Sequence, residues 1–341
     1  TPSRLPPAEG IEVKYLDEEE KYVPVWYEEE NKSIHFYADK ITTDKPEMRL
    51  ALPDDSSFFF SGMNNIEIID LSCFDTRNVT NMDSMFFSCL KLLELDVSNF
   101  DTSNVINMHR MFKDCRELRE LDVSSFNTSN VINMQFMFAD CWKLTELDVS
   151  SFDTRNVSGK DMERMFFGCS NLLELDLSSF NTSKVTSFLA VFCGCESLRK
   201  INVSSLDTSK ATTFNGMFES CESLSELDLS NFNTCNVTNM NFMFERCRGL
   251  TELDVSNFDT SNVINMVYMF NNCSALKTIY VSTAFTTNKI SSDGSYIMFE
   301  SCQFLKGGAG TGYSSDHRDK TYARIDGGPD SETPGYFTLK E

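Results

Sequence analysis

A 26-residue repeat fills about two-thirds of this 341-residue chain and constrains its fold more than any other feature. The tetrapeptide Leu-Asp-Val-Ser at 95–98 returns at 121–124 and at 147–150. Related copies begin at Ile69, Leu175, Ile201, Leu227, Leu253 and Ile279. A fixed period of this length predicts a solenoid, in which each coil buries its apolar face only against its neighbours.

One coil, residues 92–118, shows two kinds of apolar spacing. Leu95 and Val97 alternate with polar residues, which predicts a short strand with one buried face. Further along, apolar residues recur at steps of three and four, which is typical of helical turns: Val105, Met108, Met111, Phe112 and Cys115. We therefore predict an α/β repeat fold: a leucine-rich-repeat solenoid with a parallel β-sheet on one face, short helices on the other and β-rich caps at both ends.

The period also divides the chain into three parts. We expect an N-terminal β cap over residues 1–57, the solenoid over 58–305 and a C-terminal cap over 306–341. Alternating segments predict cap strands at 11–16, 23–27, 33–37, 322–326 and 336–339. The glycine-rich run 307–312 lacks the features of a phosphate loop and is expected to be a flexible connection.

Phenylalanine and cysteine also follow the period. Two phenylalanine columns, which include Phe100 and Phe112, predict stacked aromatic rings in the core. Nine of the 12 cysteines recur with the coils, and parallel thiols about 4.8 Å apart suit a buried ladder better than disulfides. Cys73, Cys193 and Cys235 break this pattern and are expected to be more accessible.

The repeat resembles that of a known class of proteins. Residues 227–234, Leu-Asp-Leu-Ser-Asn-Phe-Asn-Thr, followed by Asn-Val-Thr-Asn-Met at 236–240, are similar to BspA-like leucine-rich repeats of bacterial surface proteins. The resemblance covers residues 58–305. It implies an extracellular or cell-surface location and a role in adhesion, host-protein binding or coaggregation.

Carboxylates recur on the outward side of the predicted strands. We predict an acidic binding face made of Glu94, Asp96, Glu120, Asp122, Glu146, Asp148, Glu174, Asp176, Glu226, Asp228, Glu252 and Asp254. Two interpretations stay open: the aspartates accept local hydrogen bonds while the glutamates are simply solvated, or the face docks a basic protein patch. No cofactor is expected, although weak Ca²⁺ binding by this face stays an alternative.

Two further features vary between coils and are therefore candidates for recognition. The coil 184–210 carries Lys200 and Asn202 where other coils carry Glu and Asp, which is either repeat drift or a basic notch. Exposed aromatic residues at one recurring position predict an aromatic patch made of Phe136, Phe242 and Tyr268. Packing of these rings on their neighbours is the alternative.

Charge and the catalytic inventory limit the function. The net charge of −21 disfavours nucleic acid and anionic membranes as partners, and no apolar run is long enough to insert into a bilayer. Three scattered histidines, with no companion at a motif spacing, argue against an enzyme. We predict an adhesin-like protein that binds a host or microbial surface macromolecule, either protein or glycan. A structural spacer without its own ligand is the alternative, and a carbohydrate-active enzyme is a remote one.

Overall fold

The computed structural model describes residues 11–13, 23–28, 32–36 and 50–340. Backbone bridges join residues one repeat apart over and over, such as Asn81 to Asn107 and Asn107 to Asn133, so that successive coils stack in parallel. The strands are short: β1 Ile11–Val13, β2 Val23–Glu28, β3 Ser33–Phe36, β4 Leu50–Ala51, β5 Ile68–Ile69, β6 Phe74–Asp75, β7 Glu174–Asp176, β8 Lys200–Asn202, β9 Glu252–Asp254, β10 Thr278–Val281 and β11 Phe337–Leu339.

The sheets follow the repeat register wherever coils meet. Strand β7 pairs in parallel with β8, and Leu175 lies opposite Ile201. Strand β10 lies between β9 and β11, parallel to both. At the N-terminal end, β1 and β2 form an antiparallel pair, β2 pairs with β3, and β3 pairs in parallel with β5. The cap strands therefore continue into the stack of coils.

The predicted α/β leucine-rich-repeat fold with helices on one face is wrong. In the described ranges the structure contains no α-helix, and its one helical element is a single 3₁₀ turn at Asp293–Ser295. Where helices were predicted, the chain forms consecutive β-turns. Met111, Lys113 and Cys115 each donate their N–H to the carbonyl three residues earlier.

The N–H groups between those turn donors bond to the next coil instead. Arg110 donates to Gln135, Phe112 to Met137 and Asp114 to Ala139. Donors therefore alternate between a local turn and the neighbouring coil, so the backbone is satisfied without helical bonds to the fourth residue back. The spacing of three and four residues that predicted helices is produced here by buried residues at the corners of successive turns.

These turns need a positive φ at two positions in each coil. The first αL column contains Phe58, Ser84, Arg110, Phe136, Arg164, Ala190, Gly216, Phe242, Tyr268 and Ile297. The second αL column contains Gly62, Ser88, Asp114, Asp140, Gly168, Gly194, Ser220, Arg246, Asn272 and Ser301. Left-handed backbone favours glycine and small polar residues, and these fill nearly all of the second column.

The core lies between the strand side and the turn side. Stacking is confirmed for one of the two predicted phenylalanine columns: rings from Phe60 to Phe299 stack coil on coil with centroids 5.2–6.0 Å apart. The rings of the other column, from Phe74 to Phe258, are buried, and within it Phe152 stacks on Phe180. The cysteine ladder is also buried, and each thiol donates to a phenylalanine carbonyl of the preceding coil, as Cys141 does to Phe112 at 3.2 Å. Cys73 and Cys193 are buried too, so among the three irregular cysteines only Cys235 is partly exposed.

Buried threonines join neighbouring coils. The hydroxyl of Thr128 donates to the carbonyl of Asp153 at 3.1 Å and accepts the N–H of the same residue at 2.7 Å. The same two-bond contact recurs in other coils, for example from Thr102 to Asn127 and from Thr208 to Asn233. The recurring threonine is therefore part of the interface between coils.

The C-terminal cap is organised by one buried carboxylate. Asp326 accepts bonds from the N–H groups of Ala309, Thr311 and Gly328 and from the Thr311 hydroxyl. The glycine run predicted to be a flexible connection thus folds around Asp326. A side chain at Gly307 would meet the Gly335 carbonyl at 2.2 Å, which explains the need for glycine there.

Candidate functional site

The outward side of the strands carries the predicted acidic face. The six glutamates are all exposed, and five of the six aspartates are exposed as well, with Asp254 half-buried. Between them lie inward-facing residues such as Leu121 and Leu147, which are buried. The alternation that the sequence predicted is therefore present on this face, and the carboxylates stand next to one another in neighbouring coils.

The aspartates of this face are held by local hydrogen bonds. In each, one side-chain oxygen accepts the backbone N–H of the serine two residues later, as between Asp122 and Ser124 at 2.9 Å. Bonds from the serine hydroxyl and the serine N–H lower the pKa of Asp96, Asp122 and Asp148 below the usual value. These aspartates are part of the turn that follows the strand and stay ionised at neutral pH.

The glutamates are different, because their carboxylates are free. Among the described residues, none of the six acidic-face glutamates has a hydrogen bond or an ion pair to its carboxylate. Carboxylates about 4.8 Å apart repel each other by about 0.9 kcal/mol in bulk water and by more near a protein surface. The glutamate column therefore stores repulsion that a cationic partner would relieve.

The acidic face forms an open trough at its centre. Residues of four consecutive coils enclose a volume of about 1090 Å³, with Lys200 and Asn202 in the middle. The register places Lys200 beside Glu174, and the Asn202 side chain donates to Asp176 at 2.9 Å. The basic notch thus lies within the acidic face, flanked by Glu146, Glu174 and Glu226.

The predicted aromatic patch is split into two clusters on the turn side. Phe242 stacks on Tyr268 with centroids 5.2 Å apart, and Tyr268 contacts Tyr296 edge to face at 5.9 Å. Tyr296 is 57% exposed and was not predicted, because Ile297 occupies the recurring aromatic position in its coil and Tyr296 lies one residue before it. Phe136 lies several coils away, between Arg110 and Arg164 at 5.4 Å from each. The three predicted residues therefore do not form one surface.

One histidine has a companion that sequence reasoning missed. His109 Nδ1 lies 3.0 Å from Asp83 Oδ1, and the Ser84 hydroxyl donates to that same oxygen at 2.8 Å. In a serine hydrolase the hydroxyl bonds to the imidazole instead, so this trio lacks the arrangement of a nucleophile and its base. The repeat period could have revealed the pair, since Asp83 and His109 are 26 positions apart.

No helix in the described ranges has the length and apolarity to cross a bilayer. No group of three or more histidine, cysteine or acidic side chains in the same ranges is arranged to hold a metal ion.

Taken together, the coils define a turn-rich parallel repeat protein with one acidic face. A family model described as "Mycoplasma protein of unknown function, DUF285" matches residues 54–172 and 160–284. These matches span more than half of the chain, and the protein belongs to this family. No curated protein sequence matches the chain.

Proposed function

We propose that this protein is a binding module of the bacterial cell surface, related to the BspA-like repeat proteins, and that its acidic face recognises a cationic macromolecular partner. The free glutamate column supports this proposal most directly. Six of seven consecutive coils carry a glutamate in this column, interrupted by Lys200, although adjacent carboxylates repel each other and none has a hydrogen bond or an ion pair among the described residues.

The shape of the face suits an extended partner better than a small substrate. The trough is open along the strands, and its walls come from side chains that repeat with the coil. A chain or surface that presents cations at intervals could pair with several glutamates at once, and complementary charge raises both association rate and specificity. The proposed partner is a basic region of a host or microbial surface protein.

The test compares two variants with the same change in net charge. One carries Glu146→Lys and Glu174→Lys in the trough, and the other carries Glu196→Lys and Asp330→Lys at exposed positions outside it. Binding is measured to immobilised basic and acidic matrix proteins, mucins and glycans at two salt concentrations. We expect the trough variant to bind basic proteins at least about 10-fold more weakly, since lost complementarity is replaced by repulsion. The control should change much less.

Two outcomes contradict the proposal. If both variants lose binding equally, net charge rather than the acidic face is responsible. If no basic protein binds the unmodified chain at either salt concentration, a spacer role explains the repeat better than recognition does.

A further inference from the structure

The two αL columns have the same backbone geometry but different residues. The second column contains mostly glycine, serine, aspartate and asparagine, as left-handed backbone requires. The first column contains Arg110, Phe136 and Arg164 in consecutive coils, with φ of 54°, 57° and 55°. Bulky residues in this conformation cost stability, so their presence indicates a use for the side chains beyond the turn itself.

These three side chains form one cluster. The guanidinium carbons of Arg110 and Arg164 each lie 5.4 Å from the centre of the Phe136 ring, one from the preceding coil and one from the following coil. Stacking on an aromatic ring orients a guanidinium while leaving its N–H edge able to bind oxygen. The ring thus holds two guanidinium groups in fixed positions on a partly exposed surface, and the Lys113 ammonium lies 6.0 Å from its centre.

Both guanidinium groups lack partners in the part of the chain that the structure describes. Neither forms an ion pair or a side-chain hydrogen bond there, and the Nε atom of Arg110 is buried without an acceptor. A buried donor without an acceptor is costly, which adds to the cost of keeping an arginine at position 110. Arg110 and Arg164 contrast with Arg77 and Arg155, which are exposed and each paired with an aspartate.

Nearby carboxylates are already engaged with other groups. Asp83 contacts His109, and Asp114 and Asp140 both bind Lys113. Glu163 is buried and accepts the Ser187 hydroxyl at 2.6 Å. Arg110 and Arg164 are therefore the cations of this cluster that no carboxylate pairs with among the described residues, and their N–H groups can bind an anion.

We propose that Arg110, Phe136 and Arg164 form a binding site for a tetrahedral oxyanion, the sulfate or phosphate group of a ligand. A guanidinium group matches the charge and the oxygens of such a group, because it can donate two parallel hydrogen bonds. With only two free cations, the site suits one or two anionic groups rather than a long polyanion. It lies on the turn side, away from the acidic face, and does not depend on the function proposed for that face.

The test uses inorganic sulfate, inorganic phosphate and acetate as probes for the whole chain, with chloride at matched ionic strength as the reference. Binding is followed by calorimetry and by the Nε–H resonance of arginine in ¹H–¹⁵N spectra. We expect sulfate or phosphate to give saturable binding and to shift the Arg110 Nε–H resonance, and acetate to bind at least about 10-fold more weakly. Whichever of sulfate and phosphate binds more tightly identifies the kind of group in the natural ligand.

Variants distinguish anion binding at this site from attraction by the overall charge of the protein. Arg110→Gln with Arg164→Gln should weaken sulfate or phosphate binding at least about 10-fold, whereas Arg77→Gln with Arg155→Gln should leave it unchanged within about 2-fold. Arg110→Lys keeps the charge but loses the planar group, and it should bind more weakly than the parent chain. Thermal melting of each variant checks that it is folded.

Three results would overturn the assignment. The first is sulfate or phosphate binding no stronger than chloride or acetate binding. The second is equal loss in both double variants, which would indicate non-specific attraction. The third is full binding by a folded Arg110→Gln and Arg164→Gln variant, which would place the anion elsewhere.

Discussion

Replacing Thr128 by valine tests whether the threonine ladder joins the coils. Valine has nearly the shape of threonine, so Thr128→Val removes the hydroxyl with little change in packing. Thr128 is 1% exposed, and its hydroxyl forms two bonds to the backbone of Asp153, at 2.7 and 3.1 Å. The substitution therefore leaves one N–H and one carbonyl of the next coil without this partner.

The magnitude follows from those two bonds. A typical hydrogen bond contributes about 0.5–1.5 kcal/mol net, and an unsatisfied group adds about 1–3 kcal/mol if water cannot reach it. Asp153 is half-buried, so water can satisfy part of the loss. We expect Thr128→Val to lower the free energy of unfolding by about 2–4 kcal/mol. Thr128→Ser keeps both bonds and loses one methyl group, which costs about 1 kcal/mol.

Urea unfolding measures the change in the free energy of unfolding, and native-state hydrogen exchange measures the local loss of protection at Asp153. In a solenoid each coil contacts only its neighbours, so stability is a sum of local terms and unfolding need not be two-state. The Asp153 amide should exchange faster in Thr128→Val, while the equivalent amide at Asn233, bonded to Thr208, should keep its rate. The reasoning is refuted if the valine variant unfolds within about 0.5 kcal/mol of the parent chain, or if the serine variant is destabilised as much as the valine variant.

The other predictions concern titrating groups. Burial raises the pKa of Cys141 to about 12, so an alkylating reagent should modify the partly exposed Cys235 first and leave Cys141 unmodified in the native chain, as mass spectrometry of labelled peptides would show. Burial and then the charge of Glu219 raise the pKa of Glu245 from 4.5 to about 7. A raised carboxyl pKa means that stability present below 4.5 is lost as the pH rises towards 7. Glu245→Gln should therefore be more stable than the parent chain at pH 8, by about 1 kcal/mol after solvent screening, and show no such gain at pH 4 in thermal melts. Burial acts to raise the pKa of Asp326, but the bonds from Thr311, Gly328 and Gly335 outweigh it and lower this pKa from 3.8 to about 2. The cap should consequently lose stability as the pH falls from about 4 to 2, and Asp326→Asn should remove that dependence in acid titrations followed by hydrogen exchange of the cap amides.

Features that depend only on the period and on burial could be predicted from the sequence. The stacked phenylalanines, the buried thiols and the alternation around Leu121 all follow from counting apolar positions, since coils that repeat must place equivalent residues in one column. The acidic face followed in the same way, because residues between inward-facing ones point outward. That its glutamate carboxylates have no ion-pair or hydrogen-bond partner among the described residues could not be predicted, since such pairing depends on contacts between coils.

Helices were predicted because apolar spacing does not report backbone handedness. Met108, Met111, Phe112 and Cys115 fit the face of a helix, and they fit equally well the corners of consecutive turns. The distinguishing signal was the second αL column, in which Gly168 and Gly194 occupy the same position of neighbouring coils. Glycine at a fixed position inside a supposed helix is unfavourable and instead indicates positive φ.

The same reasoning explains why the cluster around Phe136 could not be recognised before the turns were known. As a helical residue, Arg110 would be an ordinary exposed cation and Phe136 an exposed aromatic ring. As residues with positive φ, each costs about 1–2 kcal/mol, and a cation stacked on an aromatic ring returns only about 0.5–1 kcal/mol at an exposed site. Packing alone therefore does not favour Arg110 and Phe136 over small residues, such as those that fill the second αL column with the same backbone geometry. A bound oxyanion would add the missing stabilisation, and this is why the strained arginines, rather than the exposed carboxylates, provide the more specific evidence for a ligand.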